Sequence, residues 1–390
     1  MVRASLAVLL LATCTLAATA EEVEFPRCAP HEVGIHTKRL REMSEWVRAE
    51  ELDVRAMIIV RNGRLALEWY AADVTRDHNH NVFSVTKSVV ATLVGVAIEQ
   101  KRLPGIETKL ERLLPEQPQL RSDSVKKEIS LAQLLTMQSG FPVTRGNLPK
   151  EHPKRALFDR IHTADQRCET ILGLPLEEVP GTRFAYNNND PQLVASILER
   201  AYGMDVLSLG KQQLFDRLGF ANVQWLFPDT IGSYPGGYGL RLRAIDMAKL
   251  GQLYLNQGTW QDDRILSKRW CQEATADQTG TGYGYYWWTE VGACDGDHPF
   301  SAKGVRGQRI FVDPSSKLVF VIVADLPPEK VRQVTSTLID EYVRPAVVQN
   351  TPLPENQTEL KLLQKELALA KQYRPSHRDN LPKVRLPQAP

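Results

Sequence analysis

The 390-residue chain has no Cys-x-x-Cys pair, no Gly-x-Ser-x-Gly pentapeptide, and no long apolar run beyond the one at its start. Each absence removes a class of protein. Without Cys-x-x-Cys, neither a zinc knuckle nor a redox dithiol is indicated. Without Gly-x-Ser-x-Gly, the nucleophile elbow of an α/β-hydrolase is missing. Without a long apolar segment, no later stretch reads as membrane-spanning, so stable membrane insertion is not expected. Neither charge sign is in excess: 48 Lys and Arg stand against 46 Asp and Glu, a formal net charge of +2. No basic run is dense enough to suggest nucleic acid as a partner. No metal and no organic cofactor is implied. Cysteines are few, five in all. Cys28, Cys168, Cys271 and Cys294 lie beyond the N-terminal segment, and the sequence leaves their three full pairings, or unpaired thiols, open.

The N-terminal segment itself reads as a secretory signal peptide over residues 1–20. Arg3 starts it, Leu6 to Leu16 form an apolar stretch, and Ala18-Thr19-Ala20 is an A-x-A cleavage site. The expected location is therefore secreted or periplasmic. Leu11-Ala12-Thr13-Cys14 is a poor lipoprotein box because threonine precedes the cysteine, so simple export is preferred. The mature chain is long enough for a large domain over 21–349, followed by a tail at 350–390. In that tail Leu360, Leu363, Leu367 and Ala370 could form one apolar helical stripe. Oligomeric state is not legible.

Periodicity predicts a helix over 37–50, with Leu40, Met43, Trp46 and Val47 on one face. A hairpin follows: Val54 to Val60 and Leu65 to Trp69, joined by a tight turn at Asn62-Gly63. Strand signal returns at Gln308 to Val312 and Leu318 to Val323, around the turn Asp313-Pro314-Ser315-Ser316. A last helix is expected over 329–347. Between lie short helices (Ser130 to Thr136, Pro191 to Tyr202, Arg243 to Leu255) and loops rich in Pro, Gly, Asn and Asp. The pattern is α+β. One antiparallel sheet is built from both chain ends (about 33–104 and 301–349), flanked by helices, with a helical, loop-rich lobe at about 105–300. The cleft between the two is the expected ligand site.

Ser-x-x-Lys places a hydroxyl and an amine one helical turn apart on one face. It occurs three times: Ser84/Lys87, Ser124/Lys127 and Ser208/Lys211. Only Ser84 opens a helix apolar on nearly all sides, Ser88 to Ile98, which must be buried. A lysine in its first turn then needs a reason, because burying an ammonium is costly. Two readings follow. Either Lys87 pairs with a carboxylate while Ser84 caps the helix, or Lys87 is a base that activates Ser84 as a nucleophile. Tyr186 stands in a turn before the helix from Pro191, where its hydroxyl could relay a proton beside a lysine, or merely cap local backbone. Tyr254-Leu255-Asn256 repeats the Tyr-x-Asn pattern inside a helix. His78 and His80 are read as a loop entering the Ser84 helix rather than as metal ligands. Tyr283 to Trp288 suits either core aromatics or a pocket wall, and Lys126-Lys127-Glu128 reads as solvated surface.

In order along the chain, Ser84-Val-Thr-Lys87, Leu134-Leu-Thr-Met-Gln-Ser-Gly140 and Pro180-Gly-Thr-Arg-Phe-Ala-Tyr186-Asn-Asn188 resemble the serine beta-lactamase and penicillin-binding-protein superfamily. The likeness is to its class C-like esterase and 6-aminohexanoate-dimer hydrolase branch. Gly239-Leu-Arg-Leu-Arg243 and Gly304-Val-Arg-Gly-Gln308 continue it, so that it covers about residues 33–346. The resemblance implies a beta-lactamase/DD-peptidase-like fold and a serine hydrolase acting through an acyl-enzyme on a small-molecule or peptide-like substrate. It implies Ser84 as nucleophile, Lys87 as base, Tyr186 as proton shuttle and Asn188 as an orienting group. It also implies an oxyanion hole from the backbone N–H groups of Ser84 and of Val305, just after Gly304. One departure stands out. No Lys-Thr-Gly or His-x-Gly occurs, and the corresponding stretch is Ser301-Ala302-Lys303-Gly304. Lys303 is one residue out of phase, and on a strand that turns it to the other face. Poor β-lactam hydrolysis is expected, and ester or amide cleavage is favoured over a D-alanyl carboxypeptidase or lactamase. A binding protein with a silent site is the rival of another class.

Overall fold

The computed structural model describes residues 24–376 apart from 145, 147 and 294–296. The expected signal peptide and Cys294 lie outside the described residues.

Helix α1 (Thr37–Ala49) buries Leu40, Met43 and Val47, as its periodicity predicts. The hairpin β1 (Val54–Arg61) and β2 (Arg64–Tyr70) follows. Its turn residues Asn62 and Gly63 both hold positive φ, the conformation that an Asn-Gly turn supplies at low cost. A two-residue strand β3 (His80–Asn81) leads to α2 (Val85–Glu99). β3 pairs in a small sheet with β5 (Leu240–Leu242), which also pairs with β4 (Gln224–Trp225), while β6 (Thr259–Trp260) and β7 (Asp263–Arg264) form a separate hairpin. The chain then lays down β8 (Trp288–Thr289), β9 (Phe300–Lys303), β10 (Arg309–Asp313) and β11 (Leu318–Ala324).

The main sheet has six antiparallel strands in the order β2-β1-β11-β10-β9-β8. It is built from both ends of the chain, as expected, with Val60 opposite Val319 and Ile58 opposite Val321. β11 is buried along its whole length, Leu318 to Ala324. Its apolar run is continuous rather than alternating because helices cover both faces. On one face Ala56, Ile58, Val60, Ile310 and Val321 join α2, the helix Ala244–Leu255 and the loop-rich lobe in the larger core. On the other, Met57, Ile59, Phe311 and Phe320 pack with α1 and the C-terminal helices.

Three details differ from the sequence reading. The last helix is interrupted: an α-helix over Pro328–Thr337 widens to π turns at Leu338–Val343 ahead of Pro345, which lacks the N–H to continue it. Segment 350–390, read as a tail, contributes the helix Gln357–Ala370, which docks on α1 through buried Leu363 and Ala370. Arg48 donates to both carboxylate oxygens of Glu366 on that helix, at 2.7 and 2.9 Å. Lys126, read as solvated, is buried and donates to the Leu172 carbonyl at 3.0 Å. Cys28, Cys168 and Cys271 are free thiols. No helix among the described residues is long and apolar enough to cross a membrane.

Candidate active site

Ser84 occupies the N-cap position of α2, yet its side chain caps nothing in that helix. Its Oγ instead accepts a hydrogen bond from Lys87 Nζ at 3.1 Å. The approach to Ser84 is held in place by specific bonds. Phe83, immediately before it, sits at φ 46°, a strained setting for an aromatic residue. The side chains that hold it there are Asn81, whose Oδ1 accepts from Phe83 N, and Thr86, whose Oγ1 donates to the Phe83 carbonyl. Val82 N donates to the Leu240 carbonyl, which ties the mouth of α2 to β5.

Lys87 is almost fully buried, at 1% exposure. Its ammonium donates to Ser84 Oγ, to Asn188 Oδ1 at 2.7 Å and to the Gly237 carbonyl at 2.9 Å. Among the described residues it forms no ion pair, so the carboxylate-pairing reading does not describe it. Burial therefore acts unopposed and pushes the amine down to about 7. Near neutral pH a large fraction is the free base. With two N–H bonds still given to Asn188 and Gly237, its lone pair can face the Ser84 hydroxyl.

Asn188 is free to do this because its neighbour does the capping. Asn187 Oδ1 accepts from the backbone N–H of both Asn189 and Asp190, each at 2.8 Å, at the start of the helix Asn189–Tyr202. Asn187 Nδ2 in turn donates to Asp190 Oδ2 at 3.0 Å, and Ser139 donates to the other carboxylate oxygen. Asp190 is fully buried, and desolvation pushes it up to about 7. The Leu134–Gly140 and Tyr186–Asn188 motifs are thus joined through Ser139 and Asp190.

Tyr186 is brought to the same place. Its ring centroid lies 4.9 Å from Lys87 Nζ. Trp288 stacks on it at 5.7 Å, and Tyr283 meets it edge-on at 6.0 Å. The stretch 283–288 therefore divides: Trp287 is core, and half-buried Trp288 joins Tyr186 at the site. Gly304 ends β9 against the mouth of α2, so close that a Cβ there would stand 2.6 Å from the Val82 carbonyl. That contact packs Gly304, the residue before Val305, against the segment that leads into Ser84. Gly304→Ala forces the Val82 backbone aside, so it is expected to lower kcat on a simple ester about ten- to a hundredfold and to lower the melting temperature as well. Steady-state kinetics and a thermal melt of the variant check this.

Ala302 is buried and Lys303 exposed, the alternation that the strand register requires. Lys303 still remains near the site, because its ammonium lies 5.1 Å from the ring of Trp288. Ser124 and Ser208 are exposed, far from the burial that marks Ser84. Gly237 was not singled out from sequence; its signal is the run Gly236-Gly237, where a Cβ would stand 2.9 Å from Asn188 Oδ1 and 3.2 Å from Lys87 Nζ. Among the described residues no cluster of His, Cys, Asp and Glu could hold a metal ion.

Helices on both faces of an antiparallel sheet, with a serine and a buried lysine at the mouth of the central helix, define a beta-lactamase/DD-peptidase-like fold and a serine hydrolase class. The chain belongs to the beta-lactamase family, whose profile, described as Beta-lactamase, matches residues 50–344. It is similar to the 6-aminohexanoate-dimer hydrolase of Paenarthrobacter ureafaciens, 25% identical over 307 residues that cover 73% of this chain and 76% of the relative. Among solved structures it resembles EstCE1, described as a hydrolase with promiscuous acyltransferase activity, with a TM-score of 0.64 and 19% identity over 80% of this chain and 97% of that one. A beta-lactamase/D-alanine carboxypeptidase from Pseudomonas syringae matches with a TM-score of 0.61 and 17% identity over 79% of this chain and 99% of that one.

Proposed function

We propose that this chain is an exported serine hydrolase that cleaves ester or amide bonds of small or peptide-like substrates through an acyl-enzyme on Ser84. The observation that carries the reading is the Lys87 amine, buried without an ion pair among the described residues and 3.1 Å from Ser84 Oγ. In its neutral form Lys87 takes the serine proton as Oγ attacks the carbonyl carbon. The backbone N–H groups of Ser84 and Val305 receive the developing oxyanion, an interaction worth about 3 kcal/mol for each donor. Tyr186 gives a proton to the departing oxygen or nitrogen as the scissile bond breaks and takes one from the Lys87 ammonium, which returns to the free base. Water then repeats the sequence on the acyl ester and restores Ser84. Asn188 holds the lysine in line. The pattern at residues 1–20 supports export.

A second reading, D-alanyl carboxypeptidase or lactamase activity, is favoured by Lys303, a cation one ring away from Tyr186. Ala302 at the position of the missing box lysine weighs against it. The test is intact mass of the mature protein after a fluorophosphonate, followed by rates on p-nitrophenyl esters, oligoamides, D-Ala-D-Ala peptides and a chromogenic lactam. One adduct is expected, with kcat/KM on the lactam at least about a hundredfold below that on the best ester. Equal rates on lactam and ester would establish the second reading instead. Absence of any adduct would leave a silent site.

A further inference from the structure

The carbonyl that completes the surroundings of Lys87 belongs to a residue with no side chain to hold it. Gly237 follows Gly236, and both are buried. Gly236 is pressed on the helix Asn189–Tyr202, where a Cβ would overlap the Pro191 carbonyl. That contact lets the pair come close to the helix but leaves its peptides free to turn, because glycine has the widest backbone freedom. The direction of the Gly237 carbonyl is therefore set by the residues on either side.

Both sides carry anchors. Trp225 Nε1 donates to the Pro235 carbonyl at 3.0 Å and to the Tyr238 carbonyl at 3.2 Å. Tyr238 adds an anchor through its side chain: its Oη shares a hydrogen bond of 2.7 Å with His162 Nδ1, at the end of the helix Pro153–His162. The two rings belong to an aromatic cluster. Phe158 stacks on His162 at 5.7 Å and meets Tyr238 at 5.6 Å, and Phe227 meets His162 edge-on at 5.3 Å. Buried Arg167 ties the cluster together, donating to the carbonyls of His162 at 3.2 Å, Phe227 at 2.7 Å and Ser233 at 3.0 Å. His162 is thus fixed through its backbone as well as its ring, and a fixed His162 can hold Tyr238. Burial pushes the Tyr238 phenol up to about 12 and lowers His162, so neither is ionised near neutral pH. Arg155, Asp159 and Arg167 are the charged groups that act on His162, and Arg167 also acts on Tyr238.

We propose that Tyr238 and His162 are positioning residues, whose hydrogen bond aims the Gly237 carbonyl at the Lys87 amine. The catalytic value of that contact rests on Lys87 as the base proposed above; the contact itself does not. The carbonyl accepts from the ammonium at 2.9 Å and so favours its charged form. Burial is what lowers Lys87, with the Tyr186 ring 4.9 Å from its Nζ and no charged group acting on it among the described residues. Turning the carbonyl away should therefore lower the titration of Lys87 further.

NMR of the lysine ε-carbons, with the Lys87 signal assigned by its loss in Lys87→Met, tests this in Tyr238→Phe and His162→Phe. Each variant keeps a ring in the cluster and removes one end of the bond. Each should lower the Lys87 titration by at least about half a pH unit, and the double variant by no more than either alone. Phe158→Leu loosens the same cluster but leaves the bond, and should lower the melting temperature without moving the titration. On the best ester the plateau of kcat/KM should fall about tenfold in Tyr238→Phe, its acid limb moving with the NMR titration. Thermal melts report whether each variant folds, and His162→Phe decides if Tyr238→Phe does not. The inference falls if the titration stays in place in both single variants, if it moves as far in Phe158→Leu, or if the two single shifts add in the double variant. An inactive wild type whose titration still moves in these variants would strike the base role of Lys87 and keep the positioning.

Discussion

Lys87→Met is expected to lower kcat/KM on the best ester by at least about a thousandfold and at the same time to stabilise the fold. Activity is lost because the only group hydrogen-bonded to Ser84 Oγ among the described side chains is this amine. Stability rises because methionine fills similar volume without a charge to desolvate, a gain that at acid pH outweighs the donor lost to Asn188 Oδ1 and the Gly237 carbonyl. The pH dependence has a definite sign. The amine titrates near 10.5 in the unfolded chain and at about 7 in the fold. Below about 7 both states carry the proton, and the full cost of burying the charge is present. Between about 7 and 10.5 the fold binds fewer protons than the unfolded chain, so wild-type stability rises with pH and the advantage of methionine shrinks. Urea melts at pH 6 and pH 9 should show the larger gap at pH 6. The wild-type kcat/KM should rise through about pH 7 as the base is released. A flat profile, or a variant that keeps even a tenth of the activity, would remove Lys87 from the role of base.

The second large effect is that of Ser84→Ala. Turnover on esters should fall by at least about ten-thousandfold, and the fluorophosphonate adduct should vanish. The fold should be nearly unaffected, because Lys87 keeps Asn188 and Gly237 as partners and the rest of α2 is untouched. Ser124→Ala and Ser208→Ala should leave activity unchanged, since those side chains are exposed in loop or short-helix surroundings. Retention of the adduct in Ser84→Ala would mean that another side chain is the nucleophile.

Much of this was legible from sequence because it is written in side chains with a period or a spacing. The all-apolar helix after Ser84 announced burial, and the Asn62-Gly63 turn announced the hairpin. The site was harder where backbone does the work. The Gly237 carbonyl completes the lysine's surroundings, but a carbonyl has the same signature at every position. The part played by Asn187 was hidden for another reason. In a run of three asparagines, only the fold decides which caps the helix and which faces the lysine. Strand phase correctly turned Lys303 away from the position of Ala302, but a rule of alternation says nothing about the Trp288 ring on the neighbouring strand. The docked helix Gln357–Ala370 shows the same limit: its stripe was visible, its partner α1 was some 300 residues away.

The pairing of β1 with β11 also sets a timetable for the chain. The two strands are separated by about 250 residues. At synthesis rates of about 5–20 residues per second, β1 waits roughly ten seconds or more before its central neighbour exists. During that interval the Val54–Arg61 edge is an unpaired, almost wholly apolar ribbon, open to pairing with other nascent chains. A chain stopped between about residues 306 and 318 keeps Ser84, Lys87, Tyr186, Asn188 and Val305 and lacks the strand that closes the sheet behind them. Truncation products should therefore aggregate rather than act, and slow delivery of the last fifth of the sequence is a hazard specific to this topology.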